Sequence, residues 1–250
     1  MDHAIYTAMG AASQTLNMQA VTANNMANAS TAGFRAQLNA FRAVPLDGDT
    51  LQTRTLVAAS TPGTDETQGP LTTTGRPLDV ALQQDGYLAV RLPDGSEGYT
   101  RNGDIQINAN SQLTVGGLPL MGDGGPIEVP PSAQLTIAAD GTITALNAGD
   151  SPSTTAQVGK LKLVKAQAGE LERGDDGLYH TAANGPQAGG ALAADPQVRV
   201  MPGVLEGSNV KPVETMVDMI ANARRFEMQM KVISSVNENE QQANSLLSLS

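Results

Sequence analysis

Two histidines, twenty-five acidic residues and no cysteine supply the side chains on which any chemistry in this sequence would rest. His3 and His180 stand far apart and share no ligand spacing, so they read as ordinary surface or strand histidines. The stretch GDDG, Gly174 to Gly177, sets two acids between glycines. It lacks the further spaced oxygen ligands and distal glutamate of a calcium loop, and a tight turn accounts for it better. Asp79, Asp85 and Asp94 are the kind of carboxylates that acid–base catalysis uses, but they fall at strand ends and turns, and nothing in the sequence makes them converge. The run KLKLVK, Lys160 to Lys165, looks basic. As a strand it alternates, with Lys160 and Lys162 on one side and Leu161 and Leu163 on the other, so a half-buried strand is expected rather than an anion site. There is no glycine-rich loop followed by Lys-Ser/Thr and no Gly-x-Ser-x-Gly elbow. No catalytic residue, cofactor or metal site is expected.

Composition narrows the partners. The net charge is −10 and the isoelectric point about 4.6, which argues against nucleic acid. The charge is uneven: the first 42 residues carry Asp2 against Arg35 and Arg42, the last forty are nearly balanced, and the acidity lies between. With 3 Phe, 4 Tyr and no Trp, the core must rest on aliphatic residues, methionine and alanine. Such cores are thin or are completed by neighbouring chains. No run approaches the roughly 18 apolar residues that cross a bilayer, so the chain is not expected to span a membrane. The start lacks a basic cluster and its apolar residues are interrupted by Asp2, His3, Thr7, Ser13 and Gln14, so no cleavable signal peptide is expected.

The elements that would carry any site follow from periodicity. Ile5, Met9, Ala12, Leu16, Ala20, Ala23 and Ala27 recur at steps of three and four, which predicts an N-terminal helix with a narrow apolar stripe, stopped near Gly33. Residues 43–77 hold no sustained period and are rich in Thr, Gly, Pro and Asp, an extended connector with short strand pieces. From residue 78 to about 204 the pattern becomes short alternating runs. They are separated by Asp85-Gly86, Asp94-Gly95, Asn102-Gly103, Asp140-Gly141 and Asp176-Gly177, the signature of hairpins in an antiparallel β domain. A second helix starts near Pro212, where Met216, Met219, Ala223, Phe226, Met230 and Ile233 trace a heptad seam. The expected fold is α+β: paired N- and C-terminal helices, a coiled-coil layer, flanking a mostly antiparallel β domain. Its segments are 1–42 (helix and turn-out), 43–77 (connector), 78–204 (β domain) and 205–250 (long helix). Two such thin helices do not make a stable bundle alone, so their missing partners are expected from other chains.

The first helix also carries more asparagine than a helix interior favours. Asn17, Asn24 and Asn28 share one flank, about 100° from the alanine stripe, and Asn25 points elsewhere.

The stretch ANNMANASTAGFRAQ, Ala23 to Gln37, resembles the N-terminal signature of bacterial flagellar rod and hook proteins. Asn25, Asn28, Thr31, Gly33, Phe34 and Arg35 fit it, and Ala32 stands where proline is common. EGSNVKPVETMVDMIANARRFEMQMKVI resembles the matching C-terminal signature, through Ser208-Asn209-Val210, Met216, Ile220, Arg224, Phe226, Glu227 and Lys231. DVALQQDGYLAV, DGSEGYTRNGDIQI and IAADGTITAL resemble the β domain of rod subunits, although Asn108 and Ser111 replace the usual Asp and Gly of one turn, which weakens it. The opening and the length are most like a proximal rod subunit. The resemblance implies a structural, non-enzymatic subunit of the rod that transmits torque from motor to hook. It implies export by the flagellar type III apparatus without a cleaved signal, a periplasmic place in the basal body, and hetero-oligomeric helical assembly with proximal and distal rod proteins. It also implies terminal helices that order on assembly. On that reading the subunit interface comprises Ile5, Met9, Leu16, Asn17, Asn24, Asn28, Phe34, Met216, Met219, Ile220, Ala223, Phe226, Met230 and Ile233, with the asparagines fixing register against adjacent chains. Two readings of other classes compete with it: a wall-active enzyme using carboxylates of the β domain, and a secreted β-domain binding protein.

Overall fold

Twenty-six residues without proline form the first helix, α1 (Asp2–Ala27). Our computed structural model describes residues 2–38, 41–45, 55–59, 63–83, 85–147, 155–167, 169–174, 176–182 and 190–247. The second helix, α2, runs from Pro212 to Leu247, with proline in the first turn and Glu214 near the positive end of the dipole. Its 36 residues span roughly 54 Å. The architecture between the helices is antiparallel β throughout the named strand pairs, so the fold is α+β with terminal helices flanking a β domain.

The chain divides into two units. The first gathers Met1–Ala29, Arg35–Thr67 and Val210–Ser250; the second gathers Ser30–Phe34 and Gln68–Asn209. In the first unit the two helices lie against each other. The region expected as an extended connector contributes a hairpin in which Phe41–Pro45 pairs with Thr55–Ala59, and Gln37–Leu38 pairs with Gly63–Thr64. The carboxamide of Asn25 ties this segment to α1: Gln37 N donates to Asn25 Oδ1 (2.8 Å), and Asn25 Nδ2 donates to Gln37 O (3.0 Å).

In the second unit a five-stranded sheet has the order Leu163–Lys165, Gly86–Arg91, Glu97–Thr100, Tyr179–Thr181, Leu171–Arg173. The Gly86–Arg91 strand is buried on both faces. Leu88 and Val90 join one aliphatic cluster with Val80, Leu82, Ile105, Leu113, Ile137 and Ile143. Tyr87 and Ala89 join another with Tyr99, Val164 and Tyr179, where Tyr87 and Tyr179 meet edge to face at 5.2 Å. Aromatics are scarce but three of the four tyrosines are spent here.

Three of the five predicted turn pairs close hairpins: Asp94-Gly95, Asp140-Gly141 and Asp176-Gly177, each with its glycine at positive φ. The other two do not. Gly86 opens a buried strand, and Gly103 backs onto Val80, where a Cβ would stand 1.6 Å from the carbonyl oxygen. The turn with altered residues holds because Asn108 Oδ1 accepts from the amides of Asn110 and Gln112, both at 2.9 Å, while Ser111 takes the left-handed φ of 60° normally given to glycine.

Gly33 is not a helix stop. α1 ends at Ala27, and Asn28 closes it: its amide donates to Asn24 O (3.1 Å), as does its side-chain Nδ2 (2.9 Å). Gly33, at φ 68°, instead lets the chain pass Arg101, whose carbonyl carbon would lie 2.4 Å from any Cβ. Around it a buried knot forms. Arg101 Nη2 donates to Glu206 Oε2 (2.6 Å) with both side chains only 1% exposed. Arg101 Nη1 donates to Gly86 O (2.7 Å), Gly69 N to Glu206 Oε1 (3.3 Å), Gly33 N to Glu206 O (2.8 Å) and Asn209 N to Phe34 O (3.2 Å). The knot thus joins the three quoted stretches STAGF, YTRNG and EGSN.

Candidate subunit interface

Two polar side-chain pairs at seven-residue spacing bridge the helices within the chain. Thr15 Oγ1 donates to Gln229 Oε1 at 3.0 Å, and Asn222 Nδ2 donates to Thr22 Oγ1 at 3.3 Å. Moving up α1 by seven residues moves down α2 by seven, so the helices are antiparallel. The face that pairs is Ala8, Ala11, Thr15, Met18 and Thr22 of α1 against Met219, Asn222, Phe226, Gln229, Ile233 and Val236 of α2, all at least half-buried. Thr15 and Asn222 are only 4% and 3% exposed.

The stripe read from α1 lies elsewhere. Met9, Leu16, Ala20, Ala23 and Ala27 are exposed; Ile5 is half-buried and only Ala12 is buried. The α2 seam splits: Met219, Phe226 and Ile233 sit on the pairing face, whereas Met216, Ala223 and Met230 face solvent with Ile220. The displacement is one residue. Met216, Ala223 and Met230 directly follow Thr215, Asn222 and Gln229; Met9, Leu16 and Ala23 directly follow Ala8, Thr15 and Thr22. One residue is a 100° turn of a helix. Because the helices run in opposite directions, that turn carries both stripes to the same side of the pair. The result is one composite apolar face, on which Met9, Leu16, Met216, Ile220 and Met230 are 47–55% exposed. On the opposite side a groove of about 560 Å³ opens between Ala8 and Ala11 of α1 and Arg225, Met228 and Val232 of α2.

The remaining residues expected at the interface separate. Asn17 and Asn24 are exposed on α1. Asn28 is half-buried and engaged in ending its own helix, so its carboxamide is used locally rather than held out for an adjacent chain. Phe34 is 5% exposed and lies in the second unit under the Arg173 guanidinium, 4.0 Å from the ring centroid, so it is no surface contact. Sequence reading missed Thr15, Thr22, Asn222 and Gln229. Their seven-residue spacing was the available signal, but an apolar count passes over polar residues.

Asp85 is exposed, and the other chemistry candidates whose side chains are described are held locally. Asp79 accepts from Thr74 Oγ1 (2.5 Å) and from Arg76, which also pairs with Asp104. Asp94 accepts from Ser96 N (2.9 Å) and Ser96 Oγ, bonds that hold its carboxyl below the usual carboxylate range. His180 Nε2 lies 3.0 Å from Asp176 Oδ2 across the predicted turn. Lys160 ends one strand and Leu163 starts another, so KLKLVK is broken between two sheets, and Lys162 pairs with Glu97 at 2.7 Å. Among the described residues, no group of three His, Asp or Glu is placed to hold a metal ion, and no helix is long and apolar enough to cross a membrane.

Comparison with known proteins places these observations. Three family models match the chain: Flagella basal body rod protein over residues 5–35, Flagellar hook protein FlgE/F/G D1 domain over 81–145, and Flagellar basal body rod FlgEFG protein C-terminal over 201–246. The chain is 69% identical over 251 residues to the flagellar basal-body rod protein FlgF of Salmonella typhimurium, and 66% identical to FlgF of Escherichia coli K12, covering 100% of each chain in both cases. It is 30% identical to the rod protein FlgG of Caulobacter vibrioides over 92% of its own length and 94% of that protein. The chain belongs to the flagellar basal-body rod protein family and is a structural subunit of the rod, assembling with other rod components in the basal body.

Proposed function

We propose that this subunit occupies the proximal rod and polymerises through the side faces of its helix pair, carrying torque from the motor towards the hook. The observation that carries this reading is the composite apolar face of Met9, Leu16, Met216, Ile220 and Met230, which the chain's own helices leave uncovered. Completing the burial of such half-exposed side chains is worth about 1 kcal/mol each, so several together favour association. The groove on the opposite side supplies a second apolar surface, and a tubular layer needs neighbours on both sides of every helix pair. Within this reading the exposed Asn17 and Asn24 contact adjacent chains, the other partners are proximal and distal rod subunits, and the chain reaches the periplasm through the flagellar export apparatus without a cleaved signal. No step of this function requires enzymatic chemistry. Met230→Asp tests it in cells carrying no other copy. The variant chain is exported with its helix content unchanged, while rods fail to grow and swimming is lost. Normal motility in that variant overturns the assembly role of this face.

A further inference from the structure

The polar pairs Thr15–Gln229 and Thr22–Asn222 sit among contacts that discriminate weakly between registers. Their α1 neighbours on the pairing face are Ala8, Ala11 and Met18, small or adaptable side chains that can meet Met219, Phe226 or Ile233 across a heptad slide. We propose that these two layers are the register lock of the helix pair, and that they set which residues of α1 and α2 share the composite face; the second part rests on the assembly reading above.

The argument is one of counting partners. In the observed register the two carboxamides meet the two threonines, and the next step along places Ala8 level with Val236. Sliding α2 one heptad in one direction brings Asn222 to Thr15 but strands Gln229 beside Ala8. Sliding it the other way brings Gln229 to Thr22, carries Asn222 past the end of α1 at Ala27 and sets Thr15 against Val236. Each slide therefore parts one carboxamide from its threonine and gives it no new partner on α1, the costly half of hydrogen-bond energetics. A third polar residue at this spacing, Thr215, is satisfied on its own helix by donating to Lys211 O at 2.9 Å, so it asks for nothing from α1. Thr22 is poised to accept: its Oγ1 donates back to Met18 O at 2.8 Å, which leaves its lone pairs for Asn222 Nδ2. A heptad slide moves one stripe past the other by about 10 Å, enough to break the composite face into two separate patches.

The chain has no cysteine, so thiol pairs report register directly. The purified full chain is prepared as Ala8→Cys/Val236→Cys, which reads the observed register, and as Ala8→Cys/Ala243→Cys, which reads the slid one. A short bifunctional thiol reagent then gives intramolecular products, separated from intermolecular ones by gel mobility. The expected wild-type yield at 8/236 exceeds that at 8/243 by at least about tenfold. Adding Asn222→Leu and Gln229→Leu keeps the helix content by circular dichroism and brings the two yields together. Transposing the layers instead, with Thr15→Gln, Gln229→Thr, Thr22→Asn and Asn222→Thr, restores the preference. Equal yields in the otherwise unaltered chain, or an undiminished 8/236 preference in the leucine variant, overturn the lock. Neither result bears on the motility of Met230→Asp, so the two readings fail separately.

Discussion

At the scale of single residues, the Arg101–Glu206 pair carries the largest stake. Both charges are out of water, and each is saturated by backbone groups of Gly86, Leu82 and Gly69 as well as by its partner. Removing one partner strands the other, and Arg101→Leu is expected to cost about 3–5 kcal/mol in urea unfolding. The double variant Arg101→Leu/Glu206→Leu should lose less than Arg101→Leu alone, because no orphan charge remains. Tyr99 makes a second case. Its hydroxyl accepts from Leu192 N at 2.7 Å and donates to Glu97 Oε2 at 3.2 Å, and burial pushes its pKa up to about 12. The folded protein therefore keeps the phenol proton where the unfolded chain has released it. That contribution is full below about pH 10 and is lost as pH rises towards 12. Tyr99→Phe should flatten the decline of stability between those pH values, measured by urea titration at each pH.

Among the elements, α1 is tied at its C-terminal end by asparagines with different duties. Asn28 ends the helix, and Asn25 holds Gln37 by both backbone groups. Asn25→Ala leaves that amide and carbonyl without their partner, at about 1–2 kcal/mol. Hydrogen exchange should quicken at Gln37 and at Asp65, whose amide donates to Ala36 O, while the middle of α1 keeps its protection. Unchanged exchange at both amides would remove Asn25 from this role. The helix pair itself follows the heptad logic anticipated from α2, but its inward face is rotated by one residue. Asparagine, glutamine and threonine count as outward-facing in any apolar tally, and here they point inward because each finds a partner on the other helix.

For the molecule as a whole, the proposed assembly role of the exposed face of α2 would separate folding from assembly. Met230 looks outward, whereas Phe226 is turned towards α1. Phe226→Asp should lower the melting temperature of the helical signal and block rod growth together. Met230→Asp should block rod growth alone. If both variants melt like the unaltered chain, the pairing face is wrongly assigned.

The order of elements, the antiparallel β character and the family were legible from the residues along the chain. Those rest on local signals: heptad spacing, alternating runs, Asp-Gly turns, and the signatures around Asn25–Arg35 and Ser208–Lys231. The tertiary structure was needed to show which of two adjacent heptad stripes faces inward, since the side chains that bridge the helices stand some two hundred positions apart in the chain. It also decided what the glycines do. Gly95, Gly141 and Gly177 turn the chain, as a dipeptide pattern predicts, while Gly33 and Gly103 make room for Arg101 and Val80. Phe34 was legible as a fixed point of the motif but not as a buried one, since the guanidinium that covers it comes from Arg173 on a distant strand. Local conformation is written in neighbours along the chain; close approach and polar pairing are written in neighbours in space.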